Sequence, residues 1–260
     1  MENLVEIKNL YKTYSENTGL FSAKKEPVHA LRGINLEIKR GEILALVGES
    51  GCGKSTLGNC ILKLIDTSSG EILFKGENIL TYNKKQTKAF RKSAQMIFQN
   101  PYSSLNPKMR IKEILEEPLK IYREKNIKER VIETISLCGL NQNDLKKYPH
   151  QFSGGQRQRI AIARALILKP DFIVADEPVS ALDVSIAAQI INLLIELREK
   201  LNLTFLFISH DLNIVKYIST RIAVLNKGMI AEVGMTEEIF KNPKNDYTKL
   251  LLSSIPKVNL

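Results

Sequence analysis

Gly48-Glu49-Ser50-Gly51-Cys52-Gly53-Lys54-Ser55 is the stretch that decides the fold. It fits the spacing GxxxxGK[ST]. Ile43 to Val47 before it is a short apolar run suited to a strand buried on both faces, and Lys54 to Leu64 after it reads as a helix. Strand, glycine-rich loop and helix, in that order, is the setting in which this spacing holds phosphate. The glycines let successive backbone N–H groups turn toward one anion. The helix opening near Gly53 adds the positive end of its dipole. Lys54 supplies a point charge to the outer phosphates, the Ser55 hydroxyl is placed to ligate Mg²⁺, and Thr56 reaches an inner phosphate. Charge-assisted hydrogen bonds of this kind contribute roughly 1.5–3 kcal/mol each. A chance glycine-rich turn would not bring the right flanks together with the right spacing. Cys52 takes a free position of the loop; a redox role is open to it, but a small tolerated side chain is the simpler reading.

Outward from the loop, strands are expected at Leu4 to Tyr14, Ile34 to Ile38, Glu71 to Phe74, Ala94 to Phe98, Phe172 to Ala175 and Leu203 to Ser209. Arg221 to Asn226 and Met229 to Val233 straddle Lys227-Gly228, a hairpin signal. A connection rich in Ser, Gly and Lys runs from Tyr14 to about Val28. From Ile111 to Leu168 the apolar spacing turns helical, and Val184 to Lys200 is a long amphipathic helix. Buried strands alternating with helices indicate an α/β fold. The expected layout is a core of residues 1–87 and 169–240 with a small antiparallel β subdomain, an inserted helical subdomain at 88–168, and a tail at 241–260.

The composition, 43% hydrophobic and 25% charged, is that of an ordinary globular chain able to bury a sizeable core. Met1 to Leu10 carries Glu2, Glu6 and Lys8, unlike a signal peptide. No apolar run approaches the ~18 residues of a membrane span, so the chain is expected to be cytoplasmic and unable to form a pore alone. The cysteines, Cys52, Cys60 and Cys138, form no CxxC pair, which argues against a metal site and fits a reducing compartment. A net charge of +10 admits a nucleic-acid partner or an anionic membrane surface. Scattered lysines, with only a loose cluster at Lys84, Lys85, Lys88, Arg91 and Lys92, favour solvated basic faces instead.

Phe172-Ile173-Val174-Ala175-Asp176-Glu177 is a buried strand ending in two acids. Asp176 at its end can hold Mg²⁺ through water, opposite Ser55. Glu177, one residue on, can polarise an attacking water as general base, a role worth typically ~10²–10⁴ in rate. Two acids after a strand are a common turn, and only their pairing with the phosphate loop makes them strong. His210 follows a second buried strand and can face the γ-phosphate at the sheet's carboxyl edge. A lone histidine is more often structural. Gln99, after Ile97-Phe98, can touch Mg²⁺ or water; alone it would read as an ordinary loop glutamine.

Phe152-Ser153-Gly154-Gly155-Gln156 resembles the LSGGQ signature of ABC ATPases, with Phe for Leu, and a helix from Arg157 to Leu168 follows it. Ser153 and the two glycines would make a second anion-binding helix start. In the resembled family this start covers the γ-phosphate of ATP held by the opposite subunit. Ser180-Ala181-Leu182-Asp183 resembles the D-loop, and Tyr14 the aromatic that stacks on adenine. The resemblance runs from about Val5 to Met235. A narrower resemblance, to the oligopeptide, dipeptide and nickel importer branch, rests on four further stretches. They are Gln99-Asn100-Pro101-Tyr102-Ser103-Ser104-Leu105-Asn106-Pro107, Glu177 to Ser185, the insert from Gly19 to Ala30, and the tail Asp246-Tyr247-Thr248-Lys249-Leu250-Leu251. The tail ends soon after Pro256 and lacks the C-terminal cysteines of some such subunits, so no iron–sulfur cluster is implied.

The resemblance implies an ATPase using ATP and Mg²⁺, paired with a second ABC ATPase subunit, whether related chain or copy. It implies two transmembrane permease subunits docked near Gln99 to Pro118, and indirect service to an extracytoplasmic substrate-binding protein. The place implied is the cytoplasmic face of the membrane, the cargo a peptide or a nickel or metal chelate, with no specific nucleic acid. The alternative is a non-transport ABC ATPase acting on nucleic acid or ribosomes. The net charge supports it; the lack of a long coiled-coil insert or second cassette opposes it. A P-loop kinase or GTPase would need an acceptor site or an NKxD base reader, and Asn226-Lys227-Gly228-Met229 lacks the acid.

Overall fold

The computed structural model describes residues 2–14, 27–100 and 104–254. The expected connection after Tyr14, most of the insert from Gly19 to Ala30, Pro101 to Ser103 and Pro256 lie outside the described residues. The chain forms two compact units, one of residues 1–87 and 206–260 and one of residues 88–205. It passes between them inside helix α2 (Lys84–Ser93) and back inside strand β8 (Thr204–Ile208).

In the first unit, β1 (Asn3–Tyr14), β2 (Val28–Lys39), β4 (Ser69–Phe74) and β5 (Glu77–Asn78) build an antiparallel sheet in the order β2-β1-β4-β5. Ile7 faces Leu36 and Val5 faces Phe74 across it. Alternate side chains, among them Val5, Ile7, Ile34, Leu36, Ile38 and Ile72, are buried, so one face supplies a core. β2 begins six residues before the expected Ile34. Register shifts between β1 and β2 interrupt the alternation there, and Gly33 adopts φ +70°.

The same unit holds β3 (Ile43–Val47), all five residues buried, beside β9 (Arg221–Asn226) in parallel register, with Leu46 opposite Ala223. β10 (Met229–Met235) pairs antiparallel with β9 and leads into helix α8 (Thr236–Lys241). On the other side of β3 the end of β8 continues into Ser209, whose N–H donates to Leu46 O at 3.3 Å. A part-buried ion pair ties β9 to the start of β3: Arg221 Nη1 donates to both Glu42 oxygens at 3.0 and 3.2 Å. Helix α1 follows β3 but spans Lys54–Ile61, shorter than expected. Lys63 turns left-handed, φ +51°, and its ammonium donates to Ile79 O and Tyr82 O at 2.9 and 3.1 Å. That set of carbonyls ends the helix where local propensity would have continued it.

In the second unit, β6 (Ala94–Ile97) runs parallel to β7 (Phe172–Asp176), with Ile97 opposite Ala175. The expected helical stretch resolves into α3 (Ile111–Ile121), α4 (Ile127–Leu137) and α5 (Gly154–Leu166), with short 3-10 turns before α5. Ile114, Leu115 and Leu119 of α3 and Val131 and Ile135 of α4 are buried where these helices meet α5. Glu124 ties the group by ion pairs with Lys92 and Arg130. Its carboxyl is held below its ordinary value, first by the Lys92 hydrogen bond. After β7 comes α6 (Val184–Leu201), 18 residues with a buried stripe from Ala187 to Leu197. The α/β class expected from the sequence, with its small antiparallel sheet and helical segment, is the fold observed.

Candidate functional site

Residues 48–53 link β3 to α1, and Lys54 and Ser55 open that helix, as the sequence indicates. Gly48 sits at φ +149°, and a Cβ there would lie 2.1 Å from Leu225 O; only glycine passes so close to β9. Gly53, at φ +111°, caps α1 without a side-chain hydrogen bond, so the first N–H groups of that helix turn into the loop. No acidic residue occupies the helix's first turn. Lys54 is 6% exposed, and its ammonium donates to Gly48 O and Glu49 O, both at 2.8 Å. The Cys52 sulfur stands 3.9 Å from that nitrogen. Burial pushes the Cys52 thiol above its ordinary value, with Lys54 opposing. The hairpin after β9 braces the loop: Gly228 N–H donates to Cys52 O at 3.0 Å. Within this unit the loop is positive and glycine-lined, a geometry suited to an anion. Ser55 is exposed and Thr56 half-buried at its helix end.

Three more residues belong to this unit. Tyr14 ends β1 as an exposed residue, and the Lys12 ammonium lies 4.7 Å from its ring centroid. His210 follows β8, exposed, just before Asp211 caps helix α7 (Leu212–Ile218) through Asn213 N–H at 2.9 Å. Tyr247 is a third, which no sequence motif marks as a site residue. Its hydroxyl accepts the Glu49 N–H at 3.1 Å.

The second unit carries the acids. Asp176 is the last residue of β7 and Glu177 the next, at φ +45°. Left-handed backbone at a non-glycine residue is uncommon and costs of order 1 kcal/mol or more. Nothing in the sequence announces it. Gln99 Nε2 donates to Glu177 Oε2 at 2.9 Å, so the amide expected near the reacting water touches the carboxylate expected to activate it. Ser180 donates its N–H and its hydroxyl to Glu177 O at 3.3 and 3.1 Å. The Ser180-Ala181-Leu182-Asp183 stretch is thereby tied to the backbone of Glu177.

Helix α5 begins at Gly154, three residues before the expected Arg157. Ser153 is its N-cap: the hydroxyl accepts the Gln156 N–H at 3.3 Å, and Gln156 Oε1 accepts the Ser153 N–H at 3.0 Å. Phe152 is buried beneath, and Gly155 packs against Ile186 of α6. Gly154 lies beside Leu182, where an added Cβ would be 3.4 Å from Leu182 Cδ2, so within this unit the structure brings signature and D-loop residues together, and Gln99 with Glu177.

A sequence profile of the ABC transporter family matches residues 31–180. The dipeptide transport ATP-binding protein DppF of Lactococcus lactis is 50% identical over 98% of this chain and 82% of its own length. The oligopeptide transport ATP-binding protein AppF of Bacillus subtilis is 48% identical over 98% and 79%. Among solved structures, cbiO1 of Clostridium perfringens, part of the ABC transporter complex cbiONQ, matches with TM-score 0.81 at 30% identity, covering 93% of this chain and 92% of that one. A dimeric ATP-binding cassette in a post-hydrolysis state, bound to ADP and phosphate, matches with TM-score 0.77 at 32% identity, covering 89% and 98%.

Proposed function

The chain belongs to the ABC transporter family, and on that premise we propose that it is the ATP-hydrolysing subunit of a peptide importer. One observation carries this reading. An intact lysine cradle, acid pair and signature helix occur in a chain half-identical, almost end to end, to dipeptide and oligopeptide transport ATP-binding proteins. The relatives' names speak against the nucleic-acid alternative, and peptide is the cargo they favour over nickel.

In this reading the N–H groups of Ser50, Gly51, Cys52, Gly53, Lys54, Ser55 and Thr56 bind the phosphates. Lys54 neutralises the outer ones, and Tyr14 stacks on adenine. Ser55, Asp176 and Gln99 offer a hydroxyl, a carboxylate and an amide oxygen, the hard donor set that suits Mg²⁺. Gln99 spends its nitrogen on Glu177, which leaves its oxygen for a cation. Magnesium held by these residues would supply charge that neutralises the phosphates. Glu177 accepts the proton of the attacking water, and His210 orients the γ-phosphate.

Ser153, Gly154 and Gly155 cap the ATP of a facing ATPase subunit, and the D-loop carries that contact toward Glu177. No helix among the described residues is long and apolar enough to cross a membrane. In this reading, which the relatives' names support, two permease subunits supply the path, with this chain peripheral on their cytoplasmic side and a substrate-binding protein delivering peptide outside. The test is reconstitution with permease and partner subunits in vesicles, following labelled peptide. Uptake should need Mg-ATP and be lost with Lys54→Ala; undiminished uptake by that variant would refute the reading.

A further inference from the structure

The phosphate loop is held from outside itself by a residue far along the chain. Gly48 C=O and Glu49 N–H belong to one planar peptide group. Its oxygen accepts from the Lys54 ammonium at 2.8 Å. Its N–H donates to the Tyr247 hydroxyl at 3.1 Å. The ammonium's other loop carbonyl at 2.8 Å is that of Glu49 itself. Gly48 has no Cβ to restrict the rotation of this plane. The plane is pinned instead at its two ends, and a hydrogen bond at one end of an amide polarises the other.

Tyr247 lies in helix α9 (Asp246–Ser253) and is held firmly there. The Glu232 carboxylate of β10 accepts the Lys244 and Asn245 N–H groups at 2.9 and 3.0 Å. Asn245 Nδ2 donates to Ala231 O at 3.2 Å, and its side-chain oxygen caps α9 by accepting the Tyr247 N–H at 2.9 Å. Thr248, the next residue, is fully buried. Burial pushes the Tyr247 phenol above its ordinary value, so the hydroxyl stays neutral at physiological pH.

We infer that Tyr247 is a positioning residue for Lys54, through the Gly48–Glu49 peptide, and that α9 is thereby a working part of the nucleotide site. This rests on the reading of residues 48–56 as an ATP cradle. Removing the hydroxyl frees the peptide plane to swing and takes the Gly48 carbonyl, and with it the ammonium, off its aim. Mg-ATP affinity should fall about two- to tenfold, the range of one neutral hydrogen bond.

The experiment measures Mg-ATP dissociation constants of the full chain for wild type, Tyr247→Phe, Glu49→Pro and the double variant, with Lys54→Ala alongside. Proline removes the N–H that Tyr247 accepts. Tyr247→Phe should weaken binding in the wild-type background and have no effect in the Glu49→Pro background. Wild-type affinity in Tyr247→Phe, with only the thermal midpoint lowered, would overturn the inference and reduce Tyr247 to a structural role. An equal loss in both backgrounds would overturn it too. Loss of binding in Lys54→Ala reports on the cradle separately, so failure of the positioning role and failure of the cradle reading give different results.

Discussion

Gly155→Ala is a sharp local test of the signature helix. A Cβ at Gly155 would lie 2.4 Å from Ile186 Cγ2, whereas one at Gly154 would meet Leu182 Cδ2 at 3.4 Å, ordinary contact. Something must therefore open by about 1 Å at the first position and nothing at the second. Ile186 cannot easily turn its Cγ2 away, because a β-branched residue in a helix keeps one χ1 rotamer about 90% of the time. The backbones of α5 and α6 must separate instead. Overpacking of this kind costs typically about 1–3 kcal/mol. Each kcal/mol lowers the thermal midpoint by roughly 2–4 °C in a chain of this size. The assay is thermal unfolding of Gly154→Ala, Gly155→Ala, Ile186→Ala and the Gly155→Ala/Ile186→Ala pair. Gly155→Ala alone should melt early, and adding Ile186→Ala should restore much of the loss. Gly154→Ala should melt like wild type and yet hydrolyse ATP poorly if, as proposed, this helix start caps the facing subunit's phosphate. An unshifted midpoint for Gly155→Ala, or no recovery with Ile186→Ala, would refute the packing argument.

Two further outcomes follow from ionisation. Cys52 should alkylate slowly at neutral pH and faster as pH rises, since burial raises its thiol, yet still ahead of Cys60 and Cys138, pushed up to about 11 and about 12; bound Mg-ATP should protect it, and equal labelling rates with and without nucleotide would place it away from the phosphates. Burial acts to raise Glu232, but the Lys244 N–H, the Thr248 side chain, the Asn245 N–H and the Lys244 charge together outweigh it and hold its folded value below 4.5. A lowered folded value means that the stabilisation is present above pH 4.5 and lost as pH falls through the folded value. The stability gap between wild type and Glu232→Gln should therefore be full at neutral pH and close in acid, and a gap that persisted in acid would contradict that accounting.

The phosphate loop was legible because its flanks announce themselves: five apolar residues, then glycines, then Lys54-Ser55. The acid pair was legible for the same reason, a buried strand running into charge. The start of α5 was misjudged because paired glycines argue against helix. The signal that would have placed it is Ser153 with Gln156 three residues on, a capping box. The end of α1 was not readable, since Lys63 is turned by carbonyls of residues 79 and 82. The left-handed Glu177 has no sequence signature; its conformation is fixed by what surrounds it. Tyr247 was visible only as part of a familiar tail. Its partner Glu49 is 198 positions away, and no local pattern encodes a contact across that separation.

Hydrolysis by Glu177 is the central claim, and Glu177→Gln tests it most directly. The amide keeps the side chain's size and an oxygen that can accept from Gln99 Nε2, now at 2.9 Å, so the local structure should persist. What is lost is the basic carboxylate. The measurement is single-turnover ATP hydrolysis by the chain reconstituted with its partner subunit, beside gel filtration with and without Mg-ATP. Hydrolysis should slow by about 10²–10⁴-fold while ATP still binds, and the ATP-loaded pair should accumulate. Hydrolysis at the wild-type rate by that reconstituted pair would contradict the account.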